Sequence, residues 1–97
     1  MKESDFVFTI GYQGESAIID GKAQKKYKSA SVDQLLEEGM YKAAFCKAIY
    51  NENKAGQEKV LRVYNEQSDS SYASIENLKR LFGVFGVPEG VTKLTTI

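Results

Sequence analysis

The sequence predicts an α+β domain in which an N-terminal antiparallel β-meander of about three strands packs against three or four short helices. Two observations support this prediction. Apolar residues alternate with period two near the N-terminus, whereas from residue 31 onward they recur at helical spacing. Strands that come first, followed by helices, are typical of an α+β fold rather than of a parallel α/β sheet. The whole chain, residues 1–97, is expected to form one small globular domain.

The first two strands are predicted from alternation and from a turn between them. Phe6–Ile10 has period two in residues that favour strands. Gln13-Gly14-Glu15 interrupts this pattern, and its glycine supplies the positive φ that a tight hairpin turn requires. Ala17–Ile19 then resumes as a second short strand. The two segments are therefore expected to form an antiparallel hairpin.

A third and a fourth strand are predicted from weaker signals. Asp20-Gly21 is the strongest two-residue hairpin signal in the chain, so Lys22–Lys28 is expected to continue the meander as its third strand. The tail, Val91–Ile97, is rich in threonine and alternates in character. It is expected to rejoin the sheet as a final strand.

Four helices are predicted from caps and apolar spacing. Ser31 and Gln34 form a capping box at the start of the first. Gly39 would cost about 1 kcal/mol against alanine inside a helix, so we expect it to end this helix and to let Tyr41–Tyr50 form the next. Gln57–Glu66 has one apolar edge, and Ser74 caps a last helix.

The last helix is expected to end at the glycines and the proline between residues 83 and 88. The predicted core comprises Phe6, Phe8, Ile10, Ile18, Leu35, Leu36, Phe45, Val60, Leu61, Leu78, Leu81 and Phe82.

Composition argues against most catalytic chemistries. The 13 basic and 13 acidic side chains leave no net charge, which argues against a basic nucleic-acid arm or an acidic tail. Histidine is absent, so no Ser–His or Cys–His pair exists, and one cysteine cannot supply a structural zinc site. Glu37 and Glu38 project about 100° apart on a helix and cannot share a substrate. We expect no catalytic residue, no metal site and no cofactor, and hence no enzyme.

The single cysteine, Cys46, lies on the apolar stripe of a predicted helix. A neighbouring Lys42 or Lys47 would lower the pKa of its thiol and make it reactive. Free cysteine is, however, among the most buried residue types. We therefore expect Cys46 to be an inert core residue.

A cytoplasmic location without membrane contact is expected. The longest apolar stretches span four or five residues, far short of the ~20 that cross a bilayer. Met1–Asp5 contains acids and lacks the basic start of a secretory signal. One unpaired cysteine also fits a reducing compartment.

The candidate binding residues are the only conspicuous charge cluster: Lys22, Lys25, Lys26 and Lys28, together with Tyr27. Four cations and one aromatic ring would suit phosphates and a stacked base. The same lysines would equally protect an exposed edge strand from pairing with another chain. No arginine, the usual bidentate phosphate ligand, occurs among them.

Three functions remain open on this basis. The leading hypothesis is a small non-catalytic intracellular protein-interaction or regulatory module that binds another protein or itself. Six tyrosines, zero net charge and the α+β frame favour it. The alternative is a nucleic-acid-binding accessory domain that uses the Lys22–Lys28 segment. The third is a small-molecule pocket between sheet and helices.

Overall fold

The computed structural model describes all 97 residues and consists of six helices and one three-stranded sheet. The helices are α1 (Glu3–Val7), α2 (Gly21–Tyr27), α3 (Val32–Glu37), α4 (Tyr41–Tyr50), α5 (Lys54–Ser68) and α6 (Ile75–Phe82). The strands are β1 (Thr9–Gln13), β2 (Ser16–Ile19) and β3 (Lys93–Thr96). The predicted α+β class and the return of the C-terminal strand to the sheet are both confirmed.

The sheet is mixed and has β2 at its centre. β1 and β2 form the predicted antiparallel hairpin, and Gly14 has the expected positive φ of 59° in its turn. β3 pairs with β2 in parallel, with Ala17 opposite Leu94. The strand order β1-β2-β3 leaves β1 and β3 as the two edges of the sheet.

The first strand begins later than the sequence predicts. Glu3–Val7 forms the short helix α1, and Phe6, Val7 and Phe8 are all buried. A strand with one solvated face would bury only alternate residues. The predicted start of the first strand at Phe6 is therefore wrong, and Ile10, which is expected in the core, is 53% exposed at a shift of register between Thr9 and Gly11.

The predicted third strand is wrong because Lys22–Lys28 is helical. Asp20 acts as the N-cap of α2, and its carboxylate accepts a hydrogen bond from the Ala23 backbone N–H at 3.1 Å. An aspartate that precedes glycine serves a turn and a helix cap equally well. The deciding signal is the segment from Ala23 to Lys26, which contains good helix formers and no β-branched residue.

The starts of α3 and α6 follow the predicted caps, whereas α5 is longer than the predicted Gln57–Glu66: it spans Lys54–Ser68, and Asn53 caps its start. In the capping box of α3, the Gln34 N–H donates to Ser31 Oγ at 3.1 Å, and the Ser31 N–H donates to Gln34 Oε1 at 2.8 Å. Gly39, with φ of 73°, separates α3 from α4 as expected. Ser74 caps α6 and Gly83 ends it in the left-handed conformation.

The core is built around α4, which packs against α1, α3 and α5. Its buried residues are mostly small, namely Ala43, Ala44, Cys46 and Ala48, so neighbouring helices approach closely around the one large side chain, Phe45. The predicted core residues that are buried are Phe6, Phe8, Leu35, Leu36, Phe45, Val60 and Leu78. Ile18, Leu61 and Phe82 are half-buried, while Ile10 and Leu81 are exposed.

The start of α2 lies directly against the end of β3. The Gly21 N–H donates to the carbonyl oxygen of Ile97 at 3.1 Å. A Cβ atom at Gly21 would lie 2.6 Å from Thr96 Cγ2 and 2.9 Å from the Ile97 oxygen. Gly21 is therefore required for a close approach and not for the turn that the sequence predicts.

Replacement of Gly21 by alanine should destabilise the protein. Such a replacement in a helix normally helps, since alanine restricts the unfolded chain. Here the added methyl group must displace β3, and overpacking of this kind costs about 1–3 kcal/mol. Urea unfolding should show a lower midpoint for Gly21→Ala, while Gly90→Ala, which has open space around it, should match the wild type. Equal midpoints for both variants would contradict the docking of α2 on β3.

Candidate functional site

The lysine cluster forms the outward face of α2. Lys22, Lys25, Lys26 and Lys28 are all exposed. At 100° per residue they fall within an arc of about 160°, and Ala23 packs against the core on the opposite side. The structure thus brings the four predicted cations together. Protection of an edge strand no longer explains them, because these residues are helical.

Tyr27 belongs to the buried side of the same helix. Its ring is half-buried against the core, and the Lys26 ammonium lies 5.2 Å from the ring centroid. Gln24 anchors α2 to α1, since its side-chain amide donates to Asp5 Oδ1 at 2.8 Å. Tyr27 is therefore partly a packing residue, although it also lines the polar depression beside Lys26.

Acidic side chains limit the basic face of α2. A polar depression of about 350 Å³ is lined by Lys26 together with Glu37 and Glu38. Both carboxylates therefore lie in the same depression as Lys26. The basic area is therefore short and ends at like charges that repel phosphate.

Cys46 lies in the core, as expected. The residue is 2% exposed, and burial raises the pKa of its thiol to about 11, although the Lys42 ammonium acts in the opposite direction. A thiol that stays protonated and inaccessible is a poor nucleophile.

Tyr12, which the sequence analysis did not single out among the six tyrosines, is the exposed one. Burial of its hydroxyl and the nearness of Cys46 raise the pKa of Tyr12, while a hydrogen bond with Thr9 lowers it. The hydroxyl is thus partly removed from water, although the residue is 48% exposed.

The other tyrosines have structural roles. Tyr64 is the centre of an aromatic cluster, with ring centroids 5.3 Å from Tyr41, 5.6 Å from Phe82 and 6.0 Å from Tyr72. Tyr50 packs against Phe6, and its hydroxyl donates to the Met1 carbonyl at 3.2 Å. The abundance of tyrosine therefore reflects core packing more than an interface.

The backbone edge of β1 that faces away from β2 has no partner. β1 pairs only with β2, and none of the backbone hydrogen bonds outside helices and strands involves residues 9–13. Gly11 and Gln13 direct their backbone groups toward β2, and Thr9 is only 5% exposed, so Tyr12 is the residue whose N–H and C=O groups face outward, toward any further extended chain.

Two apolar depressions adjoin this edge. A groove of about 400 Å³ lies among β1, α2, α4 and α6 and includes Ile10, Met40 and Phe82 in its lining. A depression of about 360 Å³ lies between Tyr12 and Phe85. The two depressions meet at the end of α6, where Phe82 lines the first and the next residue, Gly83, lines the second.

We call this region the β1 surface. It comprises the outward backbone edge of Thr9–Gln13 and the exposed side chains of Ile10, Tyr12 and Phe85. The last helix ends at Phe82, so Phe85 lies beyond it and is 67% exposed. For Ile10, the sequence signal of its exposure is the following residue, Gly11, since glycine within a strand often marks an irregularity.

The chain holds no group of three or more His, Cys, Asp or Glu side chains in a metal-binding arrangement. None of its helices combines the length and apolar character that crossing a membrane requires. Comparison with protein-family models, curated proteins and solved structures finds no match.

Because Cys46 is buried, the free energy of unfolding should fall as the pH rises into the alkaline range. The unfolded thiol ionises near 9.0 and the folded one near 11, so the folded state binds more protons between these values. This contribution is fully present below the lower value and is lost as pH rises toward the higher one. Between these two pH values, the unfolding free energy of the wild type should fall with rising pH more steeply than that of Cys46→Ala. The difference in slope should reach up to ~1.4 kcal/mol per pH unit.

Urea unfolding at a series of pH values measures this difference. Lysines and the other titrating groups are common to both proteins, so the difference in slope reports the thiol together with its effect on Tyr12. Parallel curves for the two proteins would show that Cys46 is not desolvated in the folded state.

Proposed function

We propose that this chain is a small non-catalytic intracellular protein-interaction module that binds an extended segment, of another protein or of a second copy, along β1. One observation carries the proposal: the outward backbone edge of β1 is unpaired and lies beside two apolar depressions. An extended peptide that joins such an edge gains main-chain hydrogen bonds, while pockets for its alternate side chains provide specificity.

The composition of β1 supports this reading. Monomeric proteins commonly protect edge strands with lysine, proline or bulges. Thr9–Gln13 contains no charged residue and no proline, and its irregularity lies at one end, at Ile10. Gly11–Gln13 pairs regularly with β2, which leaves the backbone N–H and C=O of Tyr12 directed outward. The opposite edge, β3, has four residues and carries Lys93.

A non-catalytic role is supported by the residues available. The chain has no histidine, and its one cysteine is buried with a raised thiol pKa. The groove beside β1 is lined mainly by apolar side chains, with Asp20 and Lys42 as its charged residues. The Asp20 carboxylate is already engaged as the cap of α2. Such a lining suits apolar side chains of a partner better than acid–base chemistry.

Selection from a library of random linear peptides displayed on phage tests this proposal. We expect enriched peptides that alternate apolar and polar residues, because alternate side chains of an added strand face the depressions. Synthetic versions should bind the wild type. They should bind at least tenfold more weakly to a double variant, Ile10→Lys with Phe85→Lys, which places charge on the β1 surface.

The matched control adds the same charge at the other edge of the sheet. Leu94 and Ile97 are 50% and 68% exposed, so Leu94→Lys with Ile97→Lys should leave peptide affinity unchanged. Failure to enrich any peptide, or equal binding to all three proteins, would overturn the proposal.

Nucleic-acid binding through α2 is the second candidate. It is favoured by one observation, since all four lysines of α2 are exposed and none takes part in an ion pair. It ranks second because Glu37 and Glu38 border the cluster and because Tyr27 is held against the core.

We expect no binding of a single-stranded oligonucleotide at physiological salt. If α2 does bind, neutralisation of about four phosphates implies a log–log salt slope of about −3 to −4. Lys25→Glu with Lys26→Glu would then weaken binding to all sequences alike. The charge-matched control, Lys54→Glu with Lys93→Glu, would not. A dissociation constant below micromolar that is lost only in the α2 variant would establish the second candidate in place of the first.

A further inference from the structure

We infer that the chain segment bound along β1 is β1 of a second copy, so that two three-stranded sheets join into one six-stranded sheet about a two-fold axis. The inference rests on the proposed function and names its partner. The first argument is geometric. A strand edge that pairs in the antiparallel sense about a two-fold axis offers the same N–H and C=O groups on both sides, so it is complementary to itself.

Charge does not oppose this pairing. When two copies of one strand pair, a charged residue on the strand comes close to the same charge on the other copy. Charged residues on edge strands therefore prevent self-association. Thr9–Gln13 is uncharged, and the chain as a whole has no net charge to repel another copy. The four lysines of α2 would be repulsive at an interface between copies, but they lie on a helix outside the β1 surface.

The second argument is the area available. Ile10, Tyr12 and Phe85 are 53%, 48% and 67% exposed. With 150–250 Å² for each large side chain, they leave roughly 250–400 Å² in water per copy. Since about 57% of a typical interface is apolar, burial of this area in both copies corresponds to a total interface of roughly 900–1,400 Å². This is the lower end of the range for stable interfaces.

The pairing would also bring Tyr12 of each copy near the axis, with Phe85 beside it, and aromatic pairs across strands stabilise a sheet. Given the modest area, we expect a dissociation constant of roughly micromolar.

Sedimentation velocity of the full chain over a concentration series that spans this range tests the inference. The wild type should pass reversibly from monomer to dimer. Ile10→Lys with Phe85→Lys should remain monomeric, because two copies would then oppose like charges at the contact. Leu94→Lys with Ile97→Lys should dimerise like the wild type, and circular dichroism should show the same fold in all three proteins.

A wild type that stays monomeric throughout the series would overturn the inference, as would a dimer that survives Ile10→Lys with Phe85→Lys. If only Leu94→Lys with Ile97→Lys lost the dimer, the contact would lie at the β3 edge, and the inference would be overturned as well. The proposed function is tested separately by the selected peptides. Peptides that bind the β1 surface of a monomeric protein would leave that function intact while removing the second copy as its partner.

Discussion

The burial of α4 against three other helices is the constraint on which the rest of the structure depends. Alanines at positions 43, 44 and 48 leave room for α1, α3 and α5 to approach, and Phe45 fills the space between them. Small residues at a helix contact allow close packing without cavities. A chain of this length has material for one modest core, and here that core is helical, with the sheet at its margin.

This arrangement explains why one edge of the sheet is left open. Because α1 is held against α4, the strand that follows it begins at the rim of the core, while β2 contributes the buried Ile19 to the core and β3 is exposed along its length. Phe82 at the end of α6 reaches Phe45 from another side, with ring centroids 5.7 Å apart. The chain beyond Gly83 then brings Phe85 to the depression that Tyr12 lines. The β1 surface is thus a consequence of how the helices close around α4.

Local signals in the sequence predict the helices better than the sheet. The capping boxes at Ser31 and Ser74 and the break at Gly39 are explicit, because a few neighbouring residues decide them. The Asp20-Gly21 pair is ambiguous, since the same side chain caps a helix or shapes a turn. The exposure of Ile10 depends on a shift of register between two strands, and the exposure of Phe85 depends on where α6 ends. These are tertiary outcomes, which is why sequence analysis selects the lysines and misses the β1 surface.

Amide hydrogen exchange along β1 tests most directly whether this edge is open in the isolated chain and paired in the complex. The measurement compares protein concentrations well below and well above the association range. The account predicts that the outward amide of Tyr12 exchanges rapidly in dilute protein and becomes protected at high concentration, while the amides of α4 remain slow in both. Protection of the β1 amides that is already complete in dilute monomer, or that never changes with concentration, would contradict it.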